Sequence, residues 1–400
     1  MDVYPYYRAV TERPAPGEVV VDGMRAVNAA STDYLGLASD ARVTESAMRA
    51  AAAFGASCSG SPLISGTLGM HRELEEELAS FLRRPAVTLT TTGYQANLAL
   101  ACLFGDGHVV VADRHNHASL VDAVRLGRGM NRTFRHNDAA HLDKVLCEAA
   151  LHGGEPPWVV TEGMFSVSGD LLEMPAVAET VRRHHAVLIV DGAHDIGVVG
   201  ASGRGVGEHT VQEKAADVLT GTFSKAFGSV GGFVAGSTEV IHRIRHYGRS
   251  AVFSASMSPP AVAAARTALK IVRDEPEHRA VLAEVAGRLH EGLAGVGWPR
   301  SAWAGPVVTL PIEGGTKAAM LAWRALLDRG VFAAVFVPPA ATRPLMRLSV
   351  TAAHTPEQVD RIVQAASDVL TVDAPLPGPR ACVAPAAHPG ADPPAPCVRS

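Results

Sequence analysis

The chain has 400 residues, 47% hydrophobic and 19% charged, enough for a large core and, by length, two or three domains. Lys plus Arg number 36 against 40 Asp plus Glu, and this net charge of -4 argues against a nucleic-acid or anionic-membrane partner. The five cysteines are scattered without a CxxC pair, which speaks against a disulfide framework. The opening MDVYPYYRAVTERPAPGE has no apolar signal core, and no apolar run approaches the about 18 residues of a membrane span, so a soluble cytoplasmic protein is expected.

In chain order, HRELEEELASFLRR reads as a helix with Leu74, Leu78, Phe81 and Leu82 on one face. AVTLT reads as a strand and YQANLALACLF as a helix. The runs VVVA (Val109 to Ala112), WVVTEG (Trp158 to Gly163), AVLIVDGAH (Ala186 to His194), DVLTGTFS (Asp217 to Ser224) and GGFVAGS (Gly231 to Ser237) read as buried strands. They are rich in β-branched residues and do not alternate with polar ones, as in a parallel sheet covered on both faces. EMPAVAETVRRHH is another helical pattern, so the class is α/β. From about residue 274 the texture changes to a long amphipathic helix, EPEHRAVLAEVAGRLHEGLAGVG, followed by shorter elements of a small α+β domain. The expected division is an N-terminal segment over 1–44, a large domain over 45–273, a small C-terminal domain over 274–370, and a disordered Pro-rich tail over 371–400.

Asp191 closes the apolar run LIVD at the C-terminal edge of an expected strand, where open α/β sheets bind ligands. A carboxylate there is unfavourable unless paired, either in a structural ion pair or with a protonated pyridine nitrogen. Lys225, in TGTFSKAFGSVGG, also sits at a strand end, between hydroxyls and glycines. A lysine whose neutral amine is accessible forms a Schiff base with a carbonyl cofactor. Pyridoxal phosphate (PLP) needs such a lysine and an acid on its ring nitrogen. Thr222 and Ser224 are placed to hold a phosphate, and Gly228, Gly231 and Gly232 let the backbone pass close. In TTTGYQANLAL, Gly93 at a strand-to-helix junction exposes the amides of Tyr94 and Gln95 to the same phosphate. His117 in DRHNHASLVDA can stack on a flat ring, and His194 or Ser166 can meet a ring hydroxyl.

The series GYxAN, HAS, TEGxFSxxGD, VDxAHxxGxxG, TFSKAxGxxGG and FSxSxxP resembles the α-oxoamine synthases, from about Ser31 to Thr355. These are fold-type I PLP enzymes that include 8-amino-7-oxononanoate synthase and 2-amino-3-ketobutyrate CoA ligase. The resemblance implies a PLP-dependent transferase fold, with PLP on a large domain built on a mostly parallel central sheet. It implies Lys225 as Schiff-base and proton-transfer residue, Asp191 on the pyridine nitrogen, His117 stacked on the ring, and His194 and Ser166 at the ring hydroxyl. It assigns Gly93, the Tyr94 and Gln95 amides, Thr222 and Ser224 to the phosphate, and Ser254 or Ser256 to the phosphate of the neighbouring subunit in a homodimer with a shared active site. Arg347 falls where the substrate carboxylate binds, and no metal is implied. The implied reaction condenses an amino acid with an acyl-CoA and loses CO2 to give an α-amino ketone.

Several positions depart from the common pattern. Gly192 stands where an acid is usual, Asp195 where a small residue is, and Pro62 where many members have arginine. Thr32 replaces an asparagine, Ala255 a threonine and Leu345 an arginine. FRHNDAAHLDKVL and the segment from Val331 to Val350 look most like the quorum-sensing autoinducer synthases, which leaves S-adenosylmethionine open as an alternative donor with a different electrophile.

Overall fold

In the computed structural model, which describes residues 3–150, 154–338 and 340–370, two sheets organise the chain. The strands are β1 (Val10–Glu12), β2 (Glu18–Val21), β3 (Met24–Ala29), β4 (Ala86–Thr90), β5 (Val109–Asp113), β6 (Met130–Phe134), β7 (Trp158–Glu162), β8 (Val187–Asp191), β9 (Val218–Thr222), β10 (Gly232–Gly236), β11 (Val307–Pro311), β12 (Val331–Phe336) and β13 (Leu345–Ser349). The proposed tail over 371–400 lies outside the described residues.

The larger sheet has the order β4-β10-β9-β8-β7-β5-β6. Its pairs from β6 through β9 are parallel, and β10 runs antiparallel to both β9 and β4. All five apolar runs read as buried strands form strands here. β5, β7 and β10 are buried along their whole length, because helices cover both faces and leave no solvent side for alternation to report. On one face, the helices Ala41–Phe54, Gly69–Leu82 and Pro259–Asp274 contribute Val43, Leu74, Leu78 and Leu269 to a shared core. On the other, Leu100, Phe104 and Ile241 pack against Val110, Val160, Ile189 and Val234. The helix expected over YQANLALACLF turns 3-10 after Ala99.

The second sheet has the order β1-β2-β3-β12-β13-β11. The N-terminal segment supplies three of its strands: β3 pairs in parallel with β12 and brings β1 and β2 into the C-terminal sheet. Helices Glu277–Gly295, Gly315–Asp328 and Pro356–Val369 seal it, with Leu289, Trp323, Leu326 and Ile362 buried against Val331, Met346 and Leu348. This packing presents β13, and with it Arg347, to the larger domain, where Arg347 reaches the loop after β7.

Candidate active site

The C-terminal ends of β7 and β8 and the loops after β4, β5 and β9 meet at one edge of the larger sheet. Asp191, the last residue of β8, is 5% exposed. Its Oδ1 accepts from the Ala193 amide at 2.9 Å and its Oδ2 from Asn97 Nδ2 at 2.6 Å. Asn97 also donates to Ser119 Oγ at 2.9 Å, and Ser119 Oγ meets His117 Nδ1 at 2.7 Å. The Ser119 amide donates to the same nitrogen at 3.3 Å, so Nδ1 is an acceptor and unprotonated. His117 is held below its usual value by partial burial, against the pull of Asp191 and with the help of the Lys225 charge.

Glu162, beside Asp191 in the β7–β8 register, accepts from the His117 amide at 2.5 Å and the Ser166 amide at 3.1 Å. Burial, then the Asp191 charge, pushes its carboxyl up to about 8. Sequence reasoning missed both Asn97 and Glu162, although each lies inside a motif that was singled out.

Lys225 follows β9 and is partly buried. Burial lowers its ammonium, and Asp191 and Glu162 oppose that shift. Thr222 donates to the Gly231 carbonyl at 2.9 Å, which leaves Ser224 to donate to Thr222 Oγ1 at 2.8 Å. Gly93 opens the helix Gly93–Ala99, and a Cβ there would lie 2.8 Å from Thr222 Cβ. The Gln95 amide is already taken by the capping Thr92 Oγ1 at 3.2 Å, so the junction offers Gly93 and Tyr94 rather than the expected Tyr94 and Gln95. The Tyr94 ring packs edge-on to His117, and its hydroxyl bonds the Asp122 carboxylate.

His194 is buried and shares a 2.7 Å hydrogen bond between Nδ1 and the hydroxyl of Tyr34, another residue not foreseen. Burial, then the Lys225 and Arg347 charges, keeps His194 well below its usual value and therefore neutral. Arg347 donates from one terminal nitrogen to the Ser166 carbonyl at 2.9 Å, and its guanidinium carbon lies 5.0 Å over the Phe336 ring. Its Nε is buried without a partner.

Together, Thr92, Gly93, Tyr94, Asn97, His117, Ser119, Glu162, Asp191, Ala193, His194, Thr222, Ser224 and Lys225 line one cavity of about 240 Å³. Gln95, Ser166, Ser254, Ser256 and Arg347 are not on its wall. Ser166 takes part through its backbone, which ties Glu162 to Arg347. Ser254 Oγ accepts from Gln95 Nε2 at 2.7 Å, and Ser256 Oγ is buried without a partner behind Gly66. Among the described residues, Asp143, Cys147 and His184 form a group of metal-ligand type outside the wall of this cavity, but its carboxylate is shared by His184 and Arg183.

Residues 25–365 match the family described as aminotransferase class I and II. The chain belongs to this family. It is 39% identical to an 8-amino-7-oxononanoate synthase of Methylococcus capsulatus, covering 92% of this chain and 95% of that one. A serine palmitoyltransferase of Sphingobacterium spiritivorum is 36% identical, covering 90% of each chain. Among solved structures, a serine palmitoyltransferase from S. paucimobilis with a bound PLP–myriocin aldimine superimposes with a TM-score of 0.87 at 32% identity, covering 91% of this chain and 92% of that one. The protein is a PLP-dependent enzyme of the α-oxoamine synthase group, as its motifs indicated. No helix of the described residues is long and apolar enough to cross a membrane.

The residues present fit PLP. A buried carboxylate with a fixed geometry, a lysine with a lowered ammonium pKa and a glycine-hydroxyl cradle that a Cβ would fill face the same cavity.

Proposed function

We propose that this enzyme joins the α-carbon of an amino acid to the acyl group of a thioester, with loss of CO2 and of the free thiol, to give an α-amino ketone. The observation that carries this reading is the approach of Arg347 from the second sheet to the cofactor cavity. It lies close enough for its charge to act on both Lys225 and His194. A cofactor site alone serves many reactions; a half-buried guanidinium near it suits a substrate with a carboxylate.

In this reading Asp191 holds the cofactor's ring nitrogen, and His117 lies against its ring. His194, neutral and oriented by Tyr34, faces its hydroxyl side. Thr222, Ser224 and the Gly93–Tyr94 turn hold the phosphate. When bound, PLP supplies the electron sink that makes the α-carbon nucleophilic. Lys225 anchors the cofactor through Nζ and carries the α-proton, a task eased by the burial that favours its neutral amine. Arg347 orients the substrate carboxylate while its contact with the Ser166 carbonyl keeps the guanidinium in place.

A second cavity of about 670 Å³ extends past Asp122, between the loop 165–170 and β11. Leu293, Val308, Leu310 and Leu345 give it apolar walls suited to an acyl chain, and Arg114 and Arg343 suit an anionic carrier. Leu63, Ile64 and Phe253 are more than half exposed, an apolar surface that a second copy would cover in the proposed homodimer. The relatives favour the acyl-thioester route, and the S-adenosylmethionine alternative finds no support among them.

The test is thiol release from the PLP-loaded enzyme with a panel of acyl-CoA thioesters, palmitoyl-CoA included, and single amino acids, serine first. Thiol appears only when both substrates are present. Its absence across the whole panel would overturn the reading.

A further inference from the structure

Asp195 is 2% exposed, and the cavity of the cofactor does not include it. Its Oδ2 accepts from the Val206 amide at 2.7 Å, and its backbone carbonyl accepts from the amides of Val198 and Val199 at 3.0 and 2.8 Å. The carboxyl fits only because three glycines surround it. A Cβ on Gly163 would lie 2.2 Å from Oδ2, one on Gly205 2.7 Å from Oδ2, and one on Gly192 3.1 Å from Oδ1. The acid is therefore wedged between the ends of β7 and β8 and the loop before Val206. The missing side chain at Gly192 leaves space that Ile196 takes first, 2.3 Å from such a Cβ, with the Asp195 carboxylate beside it.

Oδ1 of Asp195 is buried without a partner, and so are Nε of Arg84 and Nε of Arg204. All three residues line one cavity of about 20 Å³. That is room for about one water. A water there has the two lone pairs and the proton to serve two N–H donors and one carboxylate oxygen.

Resting on the reading of Asp191 as the acid of the ring nitrogen, we propose that Asp195 is a positioning residue. Its carboxyl fixes the loop 192–206 that follows Asp191 and carries His194, and its charge state sets the field on Asp191. The charged and titratable groups around it are Asp191 on β8, Glu162 at the end of β7, its neighbour His194, Arg204 and Glu208 across the loop, and Arg84 and Glu213 on the cavity wall. Burial, and to a lesser degree the Asp191 charge, lifts the Asp195 carboxyl to about 7. Below that pH Asp191 carries the only negative charge of the pair. Above it a second negative charge strengthens the hold on a proton at the ring nitrogen.

The experiment compares PLP-loaded wild type, Asp195→Asn, Asp195→Ala and Asp191→Asn by visible absorption between about pH 5.5 and 9, and by PLP dissociation constant. Wild type shows a spectral step near pH 7. Asp195→Asn loses that step but retains PLP within about threefold, because its carbonyl still accepts from Val206, while Asp195→Ala binds PLP about tenfold more weakly. A profile of Asp195→Asn that overlays wild type overturns the inference, and this comparison decides alone if the alanine variant does not fold. If Asp191→Asn changes the spectrum and retention but both Asp195 variants match wild type, only the inference falls. If Asp191→Asn itself matches wild type, the underlying assignment falls with it.

Discussion

Asn97 donates to the Asp191 carboxylate at 2.6 Å from inside the very helix whose first turn borders the cofactor cavity. Its second amide proton goes to Ser119 at 2.9 Å, and its carbonyl accepts from Thr220 at 2.6 Å. No freedom is left in its orientation, so Asp191 is aimed by three elements at once. Replacing Asn97 with Ala removes the bond to a charged group and strands Ser119 and Thr220. The loss is about 2 kcal/mol, or about thirtyfold in PLP dissociation constant. Equilibrium dialysis of the two proteins reads this directly, and equal retention would remove Asn97 from the site.

Arg347 leads to a prediction that separates substrate from cofactor. Arg347→Lys keeps a positive charge but loses the planar fork and the contact with the Ser166 carbonyl. PLP retention stays near wild type, while the amino-acid concentration that half-saturates the change in the visible band rises about a hundredfold. A variant with unchanged amino-acid affinity would assign the carboxylate to another residue.

These side chains mark where sequence reasoning ended. Asp191 and Lys225 stood out because each is a chemically unusual residue at an expected strand end, and His117 because a histidine there can stack on a flat ring; the structure brings all three to one cavity. Asn97 and Glu162 were not, because their roles depend on which elements the fold brings against theirs. Glu162 meets Asp191 only through the β7–β8 register. β6 was missed because it is an edge strand with four of five residues exposed, so MNRTF carries no apolar run. The entry of β1 to β3 into the C-terminal sheet is a pairing of Val27 with Val331, a contact between positions far apart in the chain that no local pattern encodes. Asp195 read as an isolated departure because its explanation lies in Gly163 and Gly205, on other segments.

The stability of the apoprotein should fall as pH rises above neutrality. Glu162 is lifted to about 8 by burial and Asp191. His136 reaches about 9: burial lowers it, but hydrogen bonds to Asp113 and Asp170 at 3.1 and 3.0 Å outweigh that. Unfolded values are about 4.3 and 6.5, so from pH 6.5 upward the native state binds more protons than the unfolded one, and stability is lost as pH climbs through the folded values. Asp195 acts in the same direction. Buried His194 and His354, both lowered, exert their effect below pH 6.5, their unfolded value, and leave this window alone. Glu162, Asp195 and His136 together would account for about 6 kcal/mol between about pH 6.5 and 9.5; Lys225, whose ammonium burial lowers, works the other way, so the net fall by urea unfolding is on the order of 3 kcal/mol, and Glu162→Gln makes it shallower. A flat or rising curve would show that these groups do not keep their protons in the fold.

Gly93→Ala tests the close approach of the helix Gly93–Ala99 to Thr222. Gly93 occupies the first position of this helix, where helix propensity alone would favour alanine by up to about 1 kcal/mol. The added Cβ, however, would lie 2.8 Å from Thr222 Cβ and 3.0 Å from its Oγ1, which forces Thr222 away from Gly231 and Ser224. Those hydroxyls are the proposed phosphate cradle, so PLP affinity falls at least about tenfold. The melting curve of the apoprotein and a PLP titration are the paired measurements. The forced shift of Thr222 lowers the apoprotein's stability by roughly 1 to 3 kcal/mol, and an alanine variant that still folds with a modestly lowered melting temperature yet fails to retain PLP places the phosphate at this junction. One that binds PLP normally moves the phosphate elsewhere along the cavity.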